Sequence, residues 1–371
     1  MNICFYAPFK PLTHPDPSGD QTIGRDLYAY LARKGHRVWT AGTLRCRWIY
    51  WKPWQFSRIL LEGLGALRRV RRNGPDVWLT YHTYYKAPDL LGPAICRRTK
   101  VPYVIFQGVY STKRRRRVRT WPGFVLNTHA LRTAEKVFTN KRKDLKNLKR
   151  IVPADRLTYV SPGVDTGAFM FSERERAVLR GAWGVGEDPV VLSAAMFRAG
   201  MKSEGIALVI RACGRLARTG KRFHLVIAGD GKMKHDLVRL ADEVLPGRVR
   251  FVGKVSRAGM PSFYSAGDLF AFPGIRESLG MVYLEAQSCG LPVVAFSNEG
   301  TPEVIRHRQT GILAPAYDFD SFETGIEVLL DSPDLSRHMG RKARAYVLSV
   351  HDLETNYALV EKELREIVDG G

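Results

Sequence analysis

Two glutamates stand eight residues apart in the segment Phe272-Pro273-Gly274-Ile275-Arg276-Glu277-Ser278-Leu279-Gly280-Met281-Val282-Tyr283-Leu284-Glu285. An ionised carboxylate is a pure hydrogen-bond acceptor, so such a pair suits a ligand rich in hydroxyl groups. The surrounding order reads strand, loop, helix, a stop at Gly290, then a strand from Val293. Glu277 therefore falls at the carboxyl end of a strand, where open α/β sheets place their ligands, and Glu285 falls inside the next helix, so both can face one cleft. The helix start near Ser278, Leu279, Gly280 and Met281 offers unpaired backbone N–H groups and a positive dipole end, and Gly280 admits close approach. This is a seat for phosphate.

Other chemistries find less support. The nine histidines show no ligand spacing such as H-E-x-x-H, so no metal site is expected. The one D-x-D, Asp318-Phe319-Asp320, precedes a helical pattern and reads as its cap. Five cysteines, widely spaced and never in a C-x-x-C pair, fit reduced structural thiols.

The elements that must position the glutamates are β-rich runs alternating with helical patterns, the signature of βαβ units and parallel sheets. In the first half, strands are expected at Asn2–Tyr6, Arg37–Ala41, Val77–Tyr81, Tyr103–Phe106, Val137–Thr139 and Leu157–Val160. A helix from about Gln21 stops at Gly35. The turn-rich stretch Ser161-Pro162-Gly163-Val164-Asp165 breaks the rhythm and marks a boundary near residue 165. A second set follows at Val190–Ala194, His224–Ala228, Arg250–Val252, Leu269–Phe272, Val293–Phe296 and Ile312–Ala314. The chain closes on a helix over Asp352–Val368. With 371 residues and 45% apolar content, two α/β domains are expected, covering 1–165 and 166–351. No apolar run approaches the roughly 20 residues needed to span a bilayer. The first residues read as a strand rather than a leader, so a cytoplasmic location is expected.

The segment around Glu277 and Glu285 resembles the E-x7-E signature of family 4 retaining glycosyltransferases, which have the GT-B fold of two Rossmann-like domains facing each other across a cleft. Other stretches are similar in the same order: Ser18-Gly19-Asp20 with Lys34-Gly35-His36-Arg37-Val38, then Ser161–Asp165, Ala228-Gly229-Asp230-Gly231, Val252-Gly253 and Thr310-Gly311. The resemblance implies that Glu285 holds the nucleotide ribose and Glu277 the transferred sugar. It implies that Arg198 and Lys202 neutralise the departing diphosphate. Gly19 would let a first-domain loop approach the donor phosphates, and Gly229 and Lys254 would lie by the nucleotide. The final helix, 352–371, would pack back on the first domain.

Three departures accompany the resemblance. Arg198 stands four residues before Lys202, where the family has five, and Gly205 comes later. A single glycine, Gly19, replaces the frequent pair. The strand end where the family carries His reads Phe106-Gln107-Gly108, and Gln107 can orient hydroxyls but cannot act as a base. His82 is a second candidate on the acceptor side. Front-face attack, as the family is described, leaves the acceptor proton to the departing phosphate. No cofactor or metal is then required, and a UDP-sugar is the favoured donor.

The formal net charge of +22 is confined to one half: residues 1–165 hold 32 Lys+Arg against 10 Asp+Glu, and the rest is balanced at 26 each. Lys113-Arg114-Arg115-Arg116-Arg117-Val118-Arg119 is the densest run. Upstream, Trp48, Trp51 and Trp54 are interleaved with basic residues, a mixture suited to a bilayer interface. The stretch Ile59 to Arg72 reads as a helix with Leu60, Leu64, Leu67 and Val70 opposite its arginines. An anionic membrane surface and a lipid-linked or lipopolysaccharide-type glycan acceptor are the expected partners, with the protein peripheral on the inner face of the cytoplasmic membrane. A soluble-glycan synthase, or a non-catalytic membrane- or nucleic-acid-binding protein, would also carry this charge. Nucleic acid is not expected, because no helix-turn-helix, zinc-finger or RNP pattern accompanies it.

Overall fold

Apolar runs of three to seven residues, the central ones buried on both faces, need helices on either side of a parallel sheet. The computed structural model, which describes residues 1–14 and 19–370, contains two such sheets. The first is built from β1 (Asn2–Tyr6), β2 (Arg37–Thr40), β3 (Val77–Thr83), β4 (Tyr103–Gly108), β5 (Lys136–Thr139) and β6 (Leu157–Tyr159). Its order is β2-β1-β3-β4-β5-β6, all neighbours parallel. The second comprises β7 (Val190–Ala194), β8 (His224–Ala228), β9 (Val249–Gly253), β10 (Leu269–Ala271), β11 (Val293–Ser297) and β12 (Gly311–Pro315). Its order is β12-β11-β10-β7-β8-β9, again parallel. The strands lie where the hydrophobic runs place them, with ends shifted by a residue or two.

The chain divides into two compact units, Met1–Ser161 with Glu354–Gly371, and Pro162–Leu353. The division falls between Ser161 and Pro162, four residues before the expected boundary, because Val164 already bridges to Asp352 within the second unit. Gly163 is required there, since a Cβ would come 2.9 Å from the Leu353 Cα. The last helix, Leu353–Asp369, belongs to the first unit from Glu354 onward. Its Tyr357 ring packs edge-on against Tyr30 and Phe106, and its Glu363 accepts from Thr158 and pairs with Lys136 at 2.7 Å.

Each unit has its own core. Trp78, Tyr6, Phe106 and Phe138 are fully buried in the first, and Phe197, Phe263, Tyr264 and Tyr283 in the second. The five cysteines are free and buried. Asp318 caps the helix Phe319–Asp331, its carboxylate accepting from the Ser321 N–H at 3.0 Å. Among the described residues no helix is long and apolar enough to cross a membrane, and among the same residues no group of three or more His, Cys, Asp or Glu is placed to hold a metal ion. Ser18 of the expected first-domain motif lies outside the described residues.

Candidate functional site

In the second sheet the strand order reverses direction between β7 and β10, which lie side by side with their connections running to opposite faces. Such a switch point opens a crevice at the carboxyl ends of the two strands. The loop after β7 carries Arg198 and leads to Lys202 in the helix Met201–Arg218, and the loop after β10 carries Glu277. The two loops meet there, with Lys202 Nζ directly against Glu277 Oε2. The ammonium also lies 5.2 Å from the centre of the Phe272 ring. Arg198 is exposed and its guanidinium has no carboxylate partner among the described residues, while its carbonyl accepts from Ser203 Oγ at 2.7 Å. One cation is thus held by a carboxylate and the other is open to an anion.

The β7 loop is held by its neighbour. The Phe197 N–H donates to the Asp230 carbonyl at 3.0 Å and the Met233 N–H to the Phe197 carbonyl at 3.1 Å. Gly229 and Gly231 make this possible, with φ of 150° and 148°; a Cβ on Gly229 would sit 2.0 Å from the Ala195 carbonyl oxygen. The sequence reading placed Gly229 beside a nucleotide, whereas the structure gives it a packing reason that stands without one. Lys254, just past β9, is exposed and has no carboxylate partner among the described residues.

The turn from β10 into the helix Met281–Ser288 is tightly wound. Gly274, Arg276 and Gly280 all have positive φ, 66°, 52° and 71°. Gly280, expected to admit a ligand, is the left-handed cap of this helix, where a Cβ would meet Tyr283 and Val304 at 2.7 and 2.9 Å. Gly300 N donates to the Glu277 carbonyl at 3.1 Å and fixes the turn from the β11 side. Ser278 is exposed at the helix start, Leu279 is buried beneath it, and Met281 is half-buried. Glu285 lies one turn further in, half-buried, and accepts from Tyr264 Oη at 3.1 Å. Tyr264 escaped the sequence reading because it sits on the separate helix Met260–Ser265, with nothing local to link it to Glu285. Its hydroxyl is pushed far above the ordinary phenol range by burial, with the Glu285 charge adding to it, so it stays a donor.

The first sheet has its own switch point, between β1 and β3. His82 lies at its edge, near the end of β3, with φ of 56°. Gln107 is the last residue but one of β4, with φ of 65°, and the register Tyr81↔Phe106 sets the two side by side. Left-handed backbone on non-glycine residues costs about 1–3 kcal/mol each and persists only where the surroundings impose it. The His82 ring stacks on Tyr84 with centroids 5.2 Å apart, meets Phe9 edge-on, and has Nδ1 3.6 Å from Asp20 Oδ1. Burial, opposed by Asp20 and helped slightly by Lys141, pushes its pKa down to about 4. The imidazole is therefore neutral at pH 7.

Gln107 is fully buried with neither amide atom hydrogen-bonded, and the next strand end adds two more unsatisfied oxygens, Thr139 Oγ1 and Asn140 Oδ1. Thr139 and Asn140 were missed; two polar residues closing an apolar strand were the available signal. Gly19, expected in a loop, instead begins the helix Gly19–Arg33 with open space around it.

The aromatic and basic residues of the first unit separate into two groups. Trp51 and Trp54 are 46% and 72% exposed, but Trp48 is half-buried between the Tyr50 and Tyr85 rings, with Arg119 and Lys86 over its face. Arg114 packs on Tyr85 at 4.5 Å, whereas Arg115, Arg116 and Arg117 are exposed. The helix Phe56–Asn73 buries only Ala66 and Val70, and leaves Phe56, Leu60, Leu61 and Leu64 exposed on its first turns. Two surface grooves lie here. One, of about 490 Å³, is lined by Ser57, Arg58, Leu61, Glu62, Gly65 and Arg69, and the other, of about 620 Å³, by Trp48, Trp51, Val118 and Arg119.

Residues 180–346 match the family model described as "Glycosyl transferases group 1". The chain is 33% identical over 221 residues to the alpha-D-kanosaminyltransferase of Streptomyces kanamyceticus, an alignment covering 58% of this chain and 56% of that protein. It is 31% identical over 226 residues to the GDP-mannose-dependent alpha-(1-6)-phosphatidylinositol monomannoside mannosyltransferase of Mycolicibacterium smegmatis, covering 59% and 57%. The chain thus spans little more than half the length of these relatives. Among solved structures, Anabaena HepE in complex with UDP superposes with a TM-score of 0.77 over 99% of this chain and 100% of that one, at 18% identity. That likeness establishes the fold, GT-B, with its two Rossmann-like α/β domains.

Proposed function

We propose that the chain is a retaining glycosyltransferase that moves a sugar from a nucleotide donor to a lipid-linked or cell-surface glycan acceptor at the cytoplasmic face of a membrane. The observation that carries this reading is the pairing of Lys202 with Glu277 at the β7/β10 switch point, one helical stretch from Glu285, inside the matched segment. Glu285, held by Tyr264, accepts from the ribose hydroxyls, and Glu277 accepts from hydroxyls of the transferred sugar. Lys202 then exchanges its carboxylate partner for the diphosphate, joined by the open Arg198. Charge on the leaving phosphate grows as the glycosidic bond breaks, so fixed cations beside it stabilise the transition state more than the ground state.

The acceptor hydroxyl attacks from the face the phosphate leaves, and its proton passes to a phosphate oxygen. No protein base is then needed, and Arg198 and Lys202 supply the charge, so turnover without added divalent metal is expected. UDP is favoured as the nucleotide; HepE, of the same fold, binds it. His82 and Gln107 are assigned to orienting hydroxyls on the acceptor side. The membrane partner is supported by the exposed Trp51, Trp54, Phe56 and Leu61 beside unpaired arginines, and by the phosphatidylinositol mannoside named for one relative.

The test is a thermal-shift and hydrolysis screen of UDP-, GDP-, ADP- and dTDP-sugars on the wild type and Glu285→Ala, without added metal. A donor at 100 times its Kd should stabilise the wild type by about 2.7 kcal/mol, and the shift should vanish in the variant. If no sugar nucleotide stabilises the wild type, the reading is wrong.

A further inference from the structure

The groove lined by Trp48, Trp51, Val118 and Arg119 is assembled from two turns far apart in the chain. The indole N–H of Trp51 donates to the Arg119 carbonyl at 2.8 Å, and the Arg119 guanidinium covers the Trp48 ring at 5.3 Å. Trp48 is held at φ 57° by its own N–H bond to the Lys86 carbonyl at 2.6 Å. A left-handed tryptophan fixed in this way lines the groove at a conformational cost. Val118, on the opposite wall, is 83% exposed. The walls are hydrocarbon in water, while the rim carries Arg119, Lys86 and Arg114, none with a carboxylate partner among the described residues.

Apolar walls beneath unpaired cations complement an amphiphile with one hydrocarbon chain and an anionic head. The groove is open along one side and can seat the first part of one chain. We infer that this groove binds the phosphate end of a long-chain lipid phosphate drawn from the membrane, with the first methylenes against Trp48, Trp51 and Val118 and the phosphate against Arg119 and Arg114. The proposal rests on the lipid-acceptor reading above and narrows it: the acceptor's carrier is a lipid phosphate rather than a neutral lipid.

The probe is farnesyl phosphate below its micellar concentration, titrated against the full chain and followed by tryptophan fluorescence, with farnesol and inorganic phosphate in parallel. Farnesyl phosphate should saturate at least about tenfold more tightly than farnesol, and inorganic phosphate alone should give no signal. Val118→Asp and Arg119→Ala should each weaken binding by about tenfold or more, with unchanged circular dichroism, and Val178→Ala, exposed on the second unit, should bind as the wild type does. Equal binding of farnesol, indifference to both groove substitutions, or association with anionic vesicles but not with the monomeric probe would overturn the proposal. So would a quench by a soluble disaccharide that competes with the probe. A wild type that ignores farnesyl phosphate yet hydrolyses a nucleotide sugar refutes the groove alone. One that binds the probe but is stabilised by no nucleotide sugar refutes the transferase alone.

Discussion

At the switch point of the second sheet the polar groups carry full charge and stand partly in water: Lys202 is 41% exposed and its partner Glu277 16%. At the strand ends of the first sheet the polar groups are uncharged and dry, with His82 neutral and Gln107, Thr139 and Asn140 buried beside unsatisfied atoms. The same α/β architecture therefore supplies two kinds of site. One meets an anion, because a half-solvated ion pair exchanges partners at little cost. The other holds directional hydrogen-bonding groups where water does not compete, which suits discrimination among hydroxyls but costs stability.

The sharpest way to break this comparison is at the charged site. Lys202→Ala should lower donor hydrolysis by roughly 10²- to 10³-fold. It should change the urea midpoint by the equivalent of no more than about 1 kcal/mol, since a part-exposed pair contributes little to folding. A large stability loss with activity retained would make the pair structural.

The dry site should reveal itself in acid. His82 has a folded pKa depressed to about 4 from an ordinary value near 6.5, so between those values the unfolded chain binds a proton that the folded chain does not. Its contribution is present above pH 6.5 and is lost as pH falls toward 4, by up to about 3 kcal/mol. Burial depresses His36 and His351 as well, and they act in the same direction. Chemical denaturation of wild type and His82→Gln from pH 7.5 to 4 should show a shallower decline in the variant. Parallel declines would place the acid lability elsewhere.

Gln107→Leu removes an amide with no partner from a fully buried position, and leaving such a group unsatisfied costs about 1–3 kcal/mol. The variant should be at least as stable as the wild type by urea titration while losing acceptor-dependent turnover. Marked destabilisation would mean that the amide is satisfied in solution. The smallest effect is expected away from both strand ends, where Asp318→Ala should lose about 1 kcal/mol through the helix cap, with donor hydrolysis unchanged. A catalytic defect there would assign the D-x-D a chemical role that its capping geometry does not require.

Much of this was legible in the sequence, and for a physical reason. Strands buried on both faces are continuous apolar runs, and helices between them repeat at 3.6 residues, so all twelve strands could be located from local pattern. The place of Glu277 after β10 and of Glu285 in the next helix was legible too, because strand, turn and helix are contiguous in the chain. Their partners were not. Tyr264 reaches Glu285 from another helix, and Gly300 holds the Glu277 turn from beyond β11. Such contacts depend on strand order, which no local pattern encodes.

The same limit governs the first unit. Composition alone determined that its surface is cationic and its aromatics concentrated, whereas the tertiary structure decided that Trp48 and Trp51 wall one groove while Trp54 projects. It also decided that Gly229, Gly231 and Gly280 are fixed by backbone geometry and close packing, with no ligand needed to explain them. The sequence determines which segments must be strands, helices and charged surface, since those follow from neighbours along the chain. Which side chains meet, which are dried and which backbone is strained follows from parallel strands paired across tens of residues, and only the folded sheet settles that.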